Sequence, residues 1–312
     1  MIKVSAIVPV YNPGADIDNC IRTLLDQSLA EDEYEVIFVD DGSTDGTGER
    51  LDRLAAAHPN VRVRRIRNSG WPGRPRNVGI DMAQGEFVFF VDNDDWVGGE
   101  ALERLLNRAI ADDADVVVGK VVGHQRTIPN GIFRCNRRNV TLEWPPLVRL
   151  LTPHKLFRKA LLDTYGIRYP EGQRRLEDHL FVMHAYFHAD RISILADYTC
   201  YHWVHRGDAF NASAERFDPA AYYASVRRVL DLIDEHHRAG RAPRRPVLPL
   251  VPRKAARASR RQGAHVAAPR VHAPALRGDP PARARALSHP ARRPAAVPPA
   301  RAGVAAARRG LG

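Results

Sequence analysis

The chain has 312 residues, 44% of them apolar, which is enough to bury one large core or two modest ones. Its formal net charge of +11 is unevenly placed: residues 241–312 hold 17 basic groups against one acid, whereas residues 1–240 hold 30 basic against 35 acidic. A nucleic-acid-binding core is therefore excluded on charge, and three scattered cysteines without a CxxC or a histidine at metal spacing exclude a disulfide framework or a zinc knuckle.

Strands are expected at residues 3–10, 34–40, 61–66, 86–92 and 114–122, each a short β-branched or aromatic run. Between them, Ile17, Ile21, Leu24 and Leu25 mark one helical face, Leu51, Leu54 and Ala55 a second, and Leu102, Leu105, Leu106 and Ile110 a third. Strand and helix in alternation predict an α/β fold with a doubly wound, mostly parallel sheet flanked by helices. Beyond residue 123 the period weakens. "TPHKLFRKALLDTYGIRYPEG" reads as a short helix and turn, and "RISILADYTCYHWVHR" as a strand. "RRLEDHLFVMHAYFHAD" reads as a helix with Leu176, Leu180, Phe181 and His184 on one face. This half, residues 123–240, is expected to pack onto the sheet begun by residues 1–122.

Residues 241–312 hold 12 of the 23 prolines and 20 alanines but no Phe, Tyr, Trp, Ile, Met or Cys. Such a segment has nothing from which to build a core and is expected to be disordered. Its abrupt onset at "HHRAGRAPRRPVLP" resembles the product of a GC-rich gene read out of frame, and it lacks the interleaved aromatics of a nucleic-acid-binding arm. No nucleic-acid partner is expected. Neither an export leader nor an apolar run of ~18 residues is visible, so the expected location is cytoplasmic; peripheral association at the inner membrane face is a further expectation, which these features do not themselves give.

In open α/β sheets ligands collect at the carboxyl ends of the strands. Here those ends read "PVYNPG", "VDDGSTDGTG" and "VDNDDW", which directs Asp40, Asp41, Asp92, Asp94 and Asp95 toward one crevice. Carboxylates so gathered repel unless cations or donors meet them. Alternate residues of an extended segment share a face, so Asp92 and Asp94 are placed to meet one divalent cation, whose remaining positions a diphosphate can fill. The competing reading makes Asp94 or Asp95 the cap of a helix starting near Gly99. Asp45 and Ser43 read as caps of the helix that follows them, and Asp41 as a nucleoside contact.

Taken together, "VSAIVPVYN", "VDDGSTD", "RNVGI" ahead of "GEFVFFVDNDDW", and "LEDHLF" resemble family 2 glycosyltransferases of the GT-A fold over residues 3 to 210. The resemblance implies a nucleotide-sugar donor, usually a UDP-sugar, and a glycan, cell-wall polymer or lipid-linked acceptor. It implies that Pro9, Tyr11 and Asn12 line the base and ribose, that Asp41 recognises the base, and that Arg76 and Asn77 lie beneath nucleotide and sugar. Asp92 and Asp94 become the D-x-D. Asp94 would bind Mn²⁺ or Mg²⁺ and Asp92 would lie nearer ribose or sugar. Asp178 becomes the catalytic base of an inverting transfer, and His202 or Arg206 of "YHWVHR" a diphosphate contact. Read from its position alone, Asp178 is a cap or helix-dipole partner. Trp71 is a candidate for stacking on a sugar or base, and His154 and Lys155 either face the acceptor or solvate the surface.

Three rival classes fit less well. A nucleotidyltransferase would carry a Gly-rich basic loop after the first strand, and "PVYNPGADID" has no Arg or Lys there; a dinucleotide oxidoreductase would carry G-x-G-x-x-G, which follows no strand here. A non-catalytic sugar- or nucleotide-binding relative, or a sugar- or nucleic-acid-binding module that uses the basic tail, leaves the D-x-D and the acids of the core unexplained.

Overall fold

The computed structural model describes residues 1–129, 131–172, 175–205 and 218–238. Arg206 and the 241–312 tail lie outside them. Four parallel strands, β1 (Val4–Val10), β2 (Tyr34–Asp40), β3 (Val61–Arg65) and β4 (Phe87–Phe90), lie in the order β3-β2-β1-β4. The register Ile7↔Ile37 and Ile7↔Phe90 brings the carboxyl ends of β1, β2 and β4 to one edge of the sheet. β1, β2 and β4 are buried along their whole length, as continuous apolar runs require in a sheet covered on both faces.

The second half extends this sheet. β6 (Val116–His124) and β8 (Ile192–Val204) pair in parallel, β5 (Trp96–Val97) closes the far edge against β8, and β7 (Leu156–Arg158) is inserted antiparallel between β4 and β6. The complete order is β3-β2-β1-β4-β7-β6-β8-β5. The "TPHKLFRKALLDTYGIRYPEG" stretch, expected as a short helix and turn, does hold that helix, α5 (Lys159–Thr164), but the strand β7 precedes it. Three residues are too few for a period of two to register, and only pairing on both sides makes them a strand.

Helices α1 (Ile17–Leu25), α2 (Thr47–Ala57), α3 (Gly73–Met82) and α4 (Ala101–Asp112) flank the sheet. Leu102, Leu105, Leu106 and Ala109 form the buried stripe of α4, and Ile110, expected among them, is 60% exposed. α6 (Glu177–His188) departs further from expectation. It buries Phe181, Val182, Met183, Ala185, Tyr186 and Phe187, nearly its whole circumference, while Leu180 and His184 are only half-buried and Leu176 precedes the helix. A helix covered on all sides has no single stripe to read. α7 (Pro219–Arg238) packs on α6, its first turn capped by Asp218, whose carboxylate accepts from Ala220 N at 3.0 Å and Ala221 N at 3.2 Å. Among the described residues no helix is long and apolar enough to cross a membrane.

Candidate active site

α3 approaches β1 through Gly79, where a Cβ would stand 2.3 Å from Ile7 Cγ2. This contact seats the preceding turn, with Arg76 and Asn77, against the sheet at the edge where the acidic strand ends emerge. Asn77 uses its side chain on the main chain: Oδ1 accepts from Tyr169 N at 2.8 Å and Nδ2 donates to Tyr169 O at 2.9 Å. It therefore ties the loop ahead of α6 to α3. Tyr169 stacks on Phe181 with ring centroids 4.0 Å apart, and Phe90, Phe157 and Phe181 complete an edge-to-face cluster with spacings of 5.3 to 6.0 Å. That cluster fixes the start of α6 over the end of β4. Leu176, just before α6, takes φ 67°, a left-handed conformation unusual for a bulky residue, as the chain turns to present Glu177 and Asp178.

Arg76 is 3% exposed and divides its guanidinium between the two halves of the chain. Nη2 donates to Asp92 Oδ1 at 2.8 Å, Nη1 donates to Asp178 Oδ1 at 3.0 Å, and Glu177 Oε1 lies at 3.9 Å. Asp178 thus stands in the first turn of α6 with its carboxylate on Arg76, so its contact reaches beyond a helix-dipole role. Glu177, buried and beside Asp178, is pushed up to about 7, first by desolvation and then by that neighbouring charge.

Asp92 meets a second donor, His154 Nε2, at 3.1 Å from Oδ2. Burial works to raise the Asp92 carboxyl, but Arg76 and His154 outweigh it and hold the group well below the usual carboxylate range. His154 lies against Tyr201 with ring centroids 3.8 Å apart, and burial lowers its own basicity against the opposing pull of Asp92. His154 and Lys155, one reading of which was surface solvation, are both buried.

The strand expected to carry the acids stops at Phe90, and residues 92–95 turn, with Asp95 N donating to Asp92 O at 3.1 Å. The extended geometry that would place Asp92 and Asp94 on one face is therefore absent. The turn instead brings together Asp92, Asp95 and His154, whose ligand atoms lie within 4.8 Å of one another, and leaves Asp94 half-buried nearby. Asp95 caps no helix; it is 1% exposed and accepts from Tyr201 Oη at 2.7 Å and Val204 N at 2.7 Å. Desolvation, then the charges of Asp92 and Asp94, push it up to about 8. α4 begins only after Glu100.

On the neighbouring strand ends, Asp41 is 4% exposed and accepts from Ser69 N at 2.9 Å and Ser69 Oγ at 2.8 Å; burial raises its carboxyl. Asp40 accepts from Ser43 N at 2.9 Å, and Asp45 accepts from Thr47 N at 3.1 Å in the first turn of α2. Asp40, Asp41, Asp92 and Asp95 are thus met by protein donors, the compensation that their crowding demands. Pro9 is buried in β1, Tyr11 is 51% exposed, and Asn12, at φ 43°, holds the second loop by accepting from Thr44 N at 2.7 Å. Trp71 is 8% exposed, so its ring does not stand open for stacking. His202 faces His124, with ring nitrogens 3.0 Å apart, and stacks on Trp96.

The structure therefore brings Arg76, Asp92 and Asp178 into direct contact and sets Asp41, Asn12 and Tyr11 on the adjoining strand ends. Asp95, His154, Tyr201 and Glu177 join the site without having been singled out for these roles. Only the third acid of "DNDD" signalled Asp95; nothing local signalled Tyr201, which reaches the turn from β8.

The α/β sheet with clustered acids at its carboxyl edge, and a carboxylate brought to them from the second half, is the α/β architecture expected from the sequence. Residues 5–176 match the family described as Glycosyl transferase family 2, and the chain belongs to that family. It is 37% identical over 234 residues to poly(ribitol-phosphate) beta-glucosyltransferase of Bacillus spizizenii, covering 74% of this chain and 37% of that protein. It is 31% identical over 238 residues to the poly(ribitol-phosphate) beta-N-acetylglucosaminyltransferase TarP of Staphylococcus aureus, covering 75% and 72%. The crystal structure of S. aureus TarS 1–349 in complex with UDP-GlcNAc superposes with a TM-score of 0.71 at 35% identity, covering 74% of this chain and 66% of that one. The chain spans 37% and 40% of the length of the Bacillus enzyme and of full-length TarS.

Proposed function

We propose that the chain transfers a sugar from a UDP-sugar to a hydroxyl of a cell-wall polymer of the poly(ribitol phosphate) type, with inversion at the anomeric carbon. The observation that carries this reading is the bridge made by Arg76, which sets the donor-side Asp92 and the acceptor-side Asp178 on one guanidinium. The names of the relatives and the UDP-GlcNAc in the TarS structure support the donor and acceptor classes.

The residues present fit a hard divalent cation. Asp94, half-buried at the turn beside Asp92, is the carboxylate that would hold Mn²⁺ or Mg²⁺. When bound, the ion supplies charge neutralisation for the departing diphosphate. Asp41 and the Tyr11–Asn12 turn hold the nucleoside at the adjoining strand ends. Asp178 accepts the proton of the attacking hydroxyl on the face of the sugar opposite the diphosphate, which gives inversion. Arg76 holds Asp178 and Asp92 fixed relative to each other, so that neither must reorganise as the reaction proceeds.

Incubation of the full chain with UDP-glucose or UDP-GlcNAc, poly(ribitol phosphate) and Mn²⁺ is expected to label the polymer with a β-linked sugar. Folded protein that neither binds UDP in the presence of Mn²⁺ nor labels the polymer would overturn the reading.

A further inference from the structure

A second cluster of ligating side chains lies away from the strand ends. His184 and His188 stand one helical turn apart on α6, and His236 meets them from α7; the candidate ligand nitrogens lie within 4.8 Å of one another. A pair of histidines at i and i+4 on one helix presents both rings on one side, and the packing of α7 on α6 supplies the third. The rings are also oriented. His188 Nδ1 donates to His184 O at 3.0 Å, and His236 Nδ1 donates to Leu232 O at 2.8 Å. A backbone carbonyl on one ring nitrogen fixes the tautomer in which Nε2 carries the lone pair, as is usual for metal-bound histidine.

Packing reinforces the orientation. His236 stacks on Phe187 with centroids 4.3 Å apart, and His188 lies 4.1 Å from the ring of Tyr165. His184 and His188 remain half-buried, so an ion has a path to them. We propose that His184, His188 and His236 form a binding site for a borderline transition-metal cation of the Zn²⁺ class, which clamps α7 onto α6. Tetrahedral zinc with Zn–N of about 2.0–2.1 Å needs nitrogens about 3.4 Å apart, so α6 and α7 must draw slightly together as the ion binds. Three imidazoles without a carboxylate select Zn²⁺, Co²⁺ or Ni²⁺ and reject the hard ions suited to Asp94. α6 carries Asp178 at its other end, so the clamp braces the helix that presents the base. The proposal is independent of the donor and acceptor assigned above.

The test is titration of the full chain with Co²⁺ and with Zn²⁺, excess Mg²⁺ being present to fill the acidic site. One equivalent of Co²⁺ is expected to develop the strong visible absorption of a four-coordinate centre, to be displaced by Zn²⁺, and to bind at least about tenfold more weakly after His188→Gln or His236→Gln. Zn²⁺ is expected to raise the melting temperature of the parent chain and leave both variants unmoved. Absence of stoichiometric Co²⁺ absorption in the parent chain overturns the proposal without recourse to variants. Unchanged affinity in both folded variants also overturns it and moves the ion elsewhere, for instance to the His124–His202 pair.

Discussion

Arg76 and Asp178, 102 positions apart in sequence, meet at 3.0 Å, with Arg76 also holding Asp92 at 2.8 Å. One buried guanidinium thus sets the distance between the two carboxylates on which the proposed chemistry depends. Arg76→Met leaves those acids without their cation; the expected results are a loss of about 3–5 kcal/mol of stability and of nearly all transfer activity. Arg76→Lys keeps the charge but cannot fork between two carboxylates, and is expected to restore stability more than activity. Denaturant unfolding and polymer labelling measured side by side separate the two effects.

Asp178→Asn keeps a hydrogen-bonding group of the same size on Arg76 and removes the proton acceptor. A fall of about 10²–10⁴ in kcat with little change in the KM for the UDP-sugar is the expected outcome. A matching loss of donor affinity would instead make Asp178 a donor-positioning residue.

Asp94 and Asp92 sit two positions apart but differ in surroundings, so their substitutions are expected to differ. Asp94→Ala should abolish the Mn²⁺-dependent part of UDP binding while leaving the fold intact. Asp92→Ala removes a carboxylate on which Arg76 and His154 converge and should lower the melting temperature as well. Calorimetry with and without Mn²⁺, paired with thermal melts, distinguishes the two.

Phe90 couples the strand that delivers Asp92 to the helix that delivers Asp178, through contacts with Tyr169 and Phe181 at 5.4 and 5.5 Å. Phe90→Ala opens a cavity at this joint and is expected to cost about 3–5 kcal/mol. Because both carboxylates are then less firmly held, activity measured on the remaining folded protein should also fall.

Lys155 is fully buried, and desolvation lowers its amine to about 7. Between the unfolded value near 10.5 and about 7 the unfolded chain binds the proton and the folded chain does not. Stability is therefore full above that window and declines as pH falls through it. Lys155→Met conserves volume and removes the titration; the variant is expected to be more stable at pH 7 by about 2 kcal/mol or more and to lose the rise in melting temperature from pH 7 to 10.

Much of the first half was legible in the chain. The runs at 3–10, 34–40 and 61–66 became β1 to β3 within a residue or two: β1 and β2 are covered strands, apolar almost throughout, and β3, an edge strand with exposed arginines, showed as a valine-arginine alternation. The acids at those ends were visible for the same reason. The turn at 92–95 was not: an extended and a turned "DNDD" have the same composition, and the choice is made by Tyr201, which accepts from Asp92 N at 3.0 Å while donating to Asp95.

The sequence by itself determined the alternation of strands and helices, the set of acids at the strand ends and the family to which the chain belongs, because each is written in local pattern and in motif order. Tertiary structure alone decided that β7 inserts into the sheet, that Asp95 and His154 are buried beside Asp92, and that Arg76 joins Asp92 to Asp178. These are contacts between segments tens of residues apart. Their energies come from desolvation and charge pairing, which exist only once the two segments have been brought into the same water-poor space.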